Sequence, residues 1–159
     1  MKALVKMQEG AGNWAVIDKP EPKPGEGQVK IKVEYIGICG SDIHTYEGHY
    51  NVNAKGLTIG HEFAGVVAEV GPGVTNVKVA TALPVKRPLK SAVPANIARL
   101  ANTTFALIAK PWDAARRRMA QYILARAQSC HILPENVTTR QASITEAACC
   151  AYHAYIKPM

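Results

Sequence analysis

Glycine disappears halfway along this chain. All twelve glycines lie at or before Gly73, and the 86 residues that follow (159 − 73) contain none. A G-x-G-x-x-G turn, which lets backbone N–H groups approach a dinucleotide pyrophosphate, is therefore excluded after residue 73. Cysteine is scarce too. The four thiols, Cys39, Cys130, Cys149 and Cys150, show no spacing of a disulfide framework, so a reducing, cytoplasmic setting is expected. No apolar run reaches the ~18 residues of a membrane-crossing helix. The opening MKALVKMQEG turns polar too early for a signal peptide. Acidic residues are nearly missing from 86–118, where Lys86, Arg87, Lys90, Arg99, Lys110, Arg116, Arg117 and Arg118 face only Asp113. That is 8 − 1 = 7, the whole net charge of +7. The basic excess belongs to one segment rather than to a face built for nucleic acid, and no nucleic-acid partner is expected.

The residues that are present read as many short strands separated by Gly/Pro turns. Met1–Met7 and Trp14–Ile17 pattern as a hairpin around the Gly10–Asn13 turn. Lys19–Gly27 is too rich in proline and glycine to continue a sheet. Gln28–Ile36 alternates most clearly, with Val29, Ile31, Val33 and Tyr35 between polar residues. Ser41–Glu47 reads as a short helix capped by Ser41 or Asp42. Phe63–Val70, Val74–Val79, Met119–Leu124 and Cys130–Leu133 read as further strands. A helix is expected to start at Thr138 or Thr139 and run to about Ile156, packing small residues (Ala142, Ala147, Ala148, Ala151, with Ile144) on the rest. This pattern predicts one domain, mainly β with short helices, as a small barrel or sandwich.

Chemistry concentrates between Glu34 and Gly73. Cys39 follows one apolar run, and His61-Glu62 follows Gly60 and precedes another. A soft thiolate, a borderline imidazole and a hard carboxylate together make a zinc-binding set. Three protein ligands with an open fourth position are the pattern of a catalytic rather than a structural zinc. Glu62 is equally readable as a carboxylate that orients a ligand from behind. Cys149 and Cys150 are adjacent, so on a helix they point apart and chelate poorly. Cys130, His49, His131 and His153 show no partner pattern.

The strings GICGSDIH and GHEFAGVVAEVGPGV resemble the catalytic-zinc segments of the zinc-dependent medium-chain alcohol and polyol dehydrogenases, most nearly the sorbitol dehydrogenase branch. The opening MKALVKM, the run PEPKPGEGQVKIKVEYIG and the later LPENVT and ITEA segments carry the same likeness, over Met1 to about Ala80 and Met119 to about Ile156. The resemblance implies a GroES-like β-barrel, the N-terminal catalytic domain of that family, without its Rossmann cofactor domain. It implies zinc at Cys39, His61 and Glu62, with Glu146 as a further carboxylate ligand; read alone, Glu146 is an acid suited to a helix N-terminus. Ser41 and His44 match the family's proton relay, which fits a hydroxyl beside the metal and an imidazole one turn on. The intact family oxidises small alcohols or polyols with NAD(P) and forms homo-oligomers. NAD(P) is not expected to bind this chain, which reads as truncated before the second domain. The other reading is a non-catalytic zinc-binding or interaction protein that keeps only the barrel.

Residues 86–118 depart from the family, which carries there a structural-zinc lobe with cysteines spaced C-x2-C-x2-C-x7-C. No cysteine occurs in this segment. Read one frame over, a codon ending in T before an alanine codon gives cysteine. Ser91-Ala92, Pro94-Ala95, Ile97-Ala98 and Phe105-Ala106 have that same spacing. A frame shift in the coding DNA would therefore account for the segment, with a second shift restoring the frame near Met119.

Overall fold

The computed structural model describes residues 1–49, 55–84 and 119–156. The 86–118 segment lies outside them. Strands β1 (Lys2–Lys6) and β2 (Trp14–Asp18) form an antiparallel hairpin, registered from Lys2↔Asp18 to Lys6↔Trp14. Ala3 and Val5 turn inward, each 3% exposed, as the alternation predicts. Lys6 is buried as well. Its ammonium donates to the carbonyls of Gly10 and Gly12 in the hairpin loop and lies 5.1 Å from the Trp14 ring centre. The charge is tolerated there because carbonyl dipoles and a π face replace its water.

Strand β3 (Gln28–Gly37) is the centre of the molecule. It pairs antiparallel with β4 (Glu62–Val70) on one side and β6 (Tyr122–Arg126) on the other. The short β5 (Ala82–Pro84) pairs with β4, so the sheet order is β5-β4-β3-β6. Val29 and Ile31, both fully buried, pack with Phe63, Val67, Val77, Ile123, Ala127 and Cys130 into the core. Burying one such aliphatic side chain contributes about 1.5–3 kcal/mol. Residues 119–121 join the hairpin to the sheet. Leu4 N–H donates to the Met119 carbonyl, Gln121 N–H to Lys2, and Val33 N–H to Gln121, at 2.8, 3.0 and 2.9 Å. Two register shifts in the β3–β4 ladder, at Lys30/Ile31 and Val33/Tyr35, bend the sheet. The described residues are mainly strands with short helices, as expected, in a two-stranded and a four-stranded sheet. Every strand pair among the described residues is antiparallel, so no βαβ cofactor-binding unit forms there.

Several elements differ from expectation. Val74–Val79 is not a strand: Val77 is buried, Val79 is 52% exposed, and the chain turns at Ala80 with φ 66°. The pairing partner of β4 comes three residues later, as β5. Within Cys130–Leu133 only Cys130 makes a bridge, because a 3-10 turn at Ala127–Ser129 redirects the chain. Cys130 Sγ donates to the Arg126 carbonyl at 3.4 Å, and burial pushes its thiol up to about 12, marking an inert core cysteine.

Helix α1 spans Gly40–Tyr46 and is capped by Cys39, not by Ser41 or Asp42. The expected C-terminal helix is two: α2 (Thr139–Ala142), capped by Thr138 in a box with Gln141, and α3 (Thr145–Ile156). The break falls where the Ser143 and Thr145 hydroxyls donate to the carbonyls of Arg140 and Ala142, competing with a continuous ladder. Of the small apolar positions expected to pack on the barrel, Ala142 does; Ile144, Ala147, Ala148 and Ala151 are exposed. No helix among the described residues is long and apolar enough to cross a membrane.

Candidate metal centre

Sheet register assembles the centre. Gly37, last residue of β3, pairs directly with Glu62, first residue of β4. Cys39 lies two residues beyond the one and His61 one residue before the other, so residues separated by 22 positions (61 − 39) meet at one end of the sheet. The Cys39 sulfur, a His61 ring nitrogen and a Glu62 carboxylate oxygen all lie within 4.8 Å of one another. Ligand atoms around a tetrahedral zinc stand about 3.3–3.8 Å apart, so the three need close by little more than an ångström. Cys39 and His61 are half-buried and Glu62 is 8% exposed. Glu62 folds over Gly37, where a Cβ would come within 2.4 Å of its Oε2. A soft, a borderline and a hard donor, partly withdrawn from water, suit zinc.

Asp42 organises the centre and is the residue that sequence reasoning missed. From the sequence it reads only as a helix cap. Its side chain is 2% exposed and accepts hydrogen bonds from Cys39 N–H at 3.1 Å and Gly60 N–H at 2.9 Å. It therefore ties together the two segments that carry the ligands. Its Oδ1 also stands 3.6 Å from His61 Nδ1, which leaves Nε2 as the nitrogen available to a metal. A carboxylate behind a histidine fixes the ring and raises its basicity. Here the Asp42 carboxylate pushes His61 up to about 9; burial opposes this and the Cys39 thiol adds to it. For Asp42 itself burial acts upward, but His61 and the N–H groups of Cys39 and Gly60 prevail and hold its carboxyl below the usual range. The bond from Gly60 spans 18 residues, so no local pattern announces it.

The remaining sequence candidates lie outside this triad. Ser41 and His44 share a face of α1, one turn apart, and His44 Nδ1 stands 3.2 Å from His49 Nδ1. Glu146 opens α3 half-buried, outside the triad, and accepts from Cys150 Sγ at 3.8 Å. The Cys150 thiol is raised by partial burial first, then by Glu146, with smaller contributions from Cys149 and Cys39. Cys150, one turn along α3 from Glu146, thus lies within electrostatic reach of Cys39.

The chain is similar to known proteins in sequence and in fold. Residues 25–135 match the family model described as alcohol dehydrogenase GroES-like domain, a match that runs across the 86–118 segment. The chain is 44% identical to a sorbitol dehydrogenase of Halalkalibacterium halodurans, over 99% of this chain and 46% of that protein. It is 34% identical to a D-arabitol-phosphate dehydrogenase of Enterococcus avium, over 97% of this chain and 44% of that protein. Among solved structures, 2R,3R-butanediol dehydrogenase of Bacillus subtilis superposes with a TM-score of 0.76 at 28% identity, covering 99% of this chain and 48% of the other. The chain thus spans just under half the length of these relatives.

Proposed function

This chain belongs to the alcohol dehydrogenase GroES-like domain family, and from that premise we propose that residues 1–159 form the zinc-binding catalytic domain of an NAD(P)-dependent dehydrogenase acting on a secondary alcohol or polyol. Segment 86–118 stands, on this reading, in place of the family's structural-zinc lobe. The observation that carries the proposal is the half-buried Cys39–His61–Glu62 triad with Asp42 behind the histidine.

The chemistry a zinc ion supplies when bound there is Lewis-acid polarisation of the substrate hydroxyl. The protein's own groups do the rest. Cys39, His61 and Glu62 fix where the hydroxyl is presented. Asp42 holds the imidazole in one tautomer, with Nδ1 toward the carboxylate. Ser41 accepts the hydroxyl proton and His44, at the wet end of α1, passes it toward solvent. Glu146, at the start of α3, would supply the further carboxylate ligand that the family resemblance implies. No glycine-rich turn is available after Gly73 to hold a dinucleotide, so the 159 residues alone are expected to bind metal but not NAD(P).

Elemental analysis of the purified chain tests this reading. About one tightly held zinc per chain is expected, retained through dialysis and lost in Cys39→Ser. Equal zinc in the two proteins would overturn the assignment. Saturable NAD(P) binding by calorimetry would overturn the cofactor part. Retained zinc in a full-length form that oxidises no polyol or secondary alcohol would favour the non-catalytic alternative.

A further inference from the structure

The far end of α1 carries a second constellation of ligating side chains. The backbone there forms a Schellman cap. Gly48 takes φ 81°, its N–H reaches the Thr45 carbonyl at 3.3 Å, and His49 N–H reaches the His44 carbonyl at 2.9 Å. This cap brings the side chains of its two end residues together, and in most helices that pair is apolar. Here it is His44 and His49. Their Nδ1 atoms stand 3.2 Å apart, and Glu47 Oε2 stands 3.4 Å from His49 Nδ1. The ligand atoms of all three lie within 4.8 Å of one another.

Those two short distances are informative. Two nitrogens bound tetrahedrally at 2.0–2.1 Å to one ion stand about 3.3 Å apart, and a nitrogen and an oxygen nearly the same. The first contact is a hydrogen bond between the imidazoles and the second an ion pair, and both match the edge length of a coordination tetrahedron. The set is also electrostatically suited to a cation. It sits at the C-terminal end of a helix, where the carbonyls point outward, and includes a carboxylate. Two imidazoles and a carboxylate, with no thiolate, suit zinc, nickel or copper over calcium or magnesium.

We infer that His44, Glu47 and His49 form a second divalent transition-metal site, at the opposite end of α1 from Cys39 and about 7–8 Å along its axis. The site is solvent-exposed and has no thiolate, so it holds its ion less tightly than the Cys39 centre. It fills from excess metal rather than retaining an ion through purification. If His44 carries the substrate proton as proposed, an ion here takes that imidazole out of proton transfer.

The test is calorimetric titration of the zinc-loaded 159-residue chain with Ni2+, with circular dichroism and retained zinc checking the fold of each variant. Wild type is expected to take up one further ion. His49→Gln is expected to take up none, and Glu47→Gln to bind about tenfold more weakly. The Cys39→Ser chain, which lacks the first centre, keeps the nickel site; this separates failure of the proposed function from failure of this inference. Cobalt gives an independent readout. Filling the Cys39 centre produces a thiolate-to-cobalt charge-transfer band, and the further ion adds none. Equal nickel uptake by wild type and folded His49→Gln would overturn the site. So would loss of nickel uptake in folded Cys39→Ser.

Discussion

The two ends of α1 present two triads built by different means. Cys39, His61 and Glu62 come from separate elements and meet because Gly37 pairs with Glu62 across the β3–β4 ladder. His44, Glu47 and His49 lie within six residues and meet because one helix ends in a glycine cap. The first is sheltered, mixes soft and hard donors, and has Asp42 behind its histidine. The second is exposed and lacks a thiolate. A site fixed by sheet register inherits the rigidity of the core. A site fixed by a cap is only as firm as the last turn of a seven-residue helix.

The sharpest way to break this contrast is Asp42→Asn. The amide keeps the shape but cannot accept from Cys39 N–H, Gly60 N–H and His61 together. Zinc affinity is expected to fall about 10–100-fold, and stability by about 1–3 kcal/mol, because a buried donor loses its partner. Competition with a chromophoric chelator reads the first and urea denaturation the second. The nickel site should be unmoved; a parallel loss there would show that the two ends are not independent.

Gly37→Ala is milder. Its new Cβ would lie 2.4 Å from Glu62 Oε2 and 3.0 Å from Glu62 Cβ, so the carboxylate must swing aside. Zinc affinity is expected to drop by about tenfold, with thermal unfolding nearly unchanged, since ordinary β-structure accepts alanine. Unchanged affinity would mean that Glu62 supports the centre without binding metal.

The smallest effect on the zinc centre is expected from Gly48→Ala, which acts only on the other end. An alanine there must hold φ 81° and meets the Ala11 backbone at 3.1 Å. A loss of about 1–2 kcal/mol in urea denaturation follows. Nickel binding should weaken with it and zinc content stay the same. Zinc loss in this variant would contradict the separation of the two triads.

What the sequence made legible divides along the same line. Cys39, His61 and Glu62 stand in short strings whose composition is chemical, and β3 announces itself by alternation, so fold and first triad were readable. Val74–Val79 has the residue types of a strand but only Val77 turns inward, and β-propensity cannot report that a turn at Ala80 intervenes. Asp42 resembles a helix-capping residue because it does accept from Cys39 N–H; its partner at Gly60 depends on tertiary approach. The second triad was readable in principle: Gly48 as the residue past a helix end places positions 44 and 49 together. His49 shows no partner pattern in the sequence because positions five apart do not face each other on a continuous helix.

The buried ammonium of Lys6 bears on how this chain can vary in length. Surface loops usually tolerate insertions, because little depends on where their backbone runs. The loop between β1 and β2 is otherwise constrained. The carbonyls of Gly10 and Gly12 converge on one charge, Gly12 N–H reaches the Tyr46 carbonyl at 2.9 Å, and Trp14 stacks on Tyr46 at 6.3 Å. One added residue moves those carbonyls off the ammonium and leaves a buried cation partly unsolvated. It also pulls the brace from the end of α1. A segment that looks like the obvious place to lengthen or tag the protein is therefore a poor one, since its span is set by a lysine side chain.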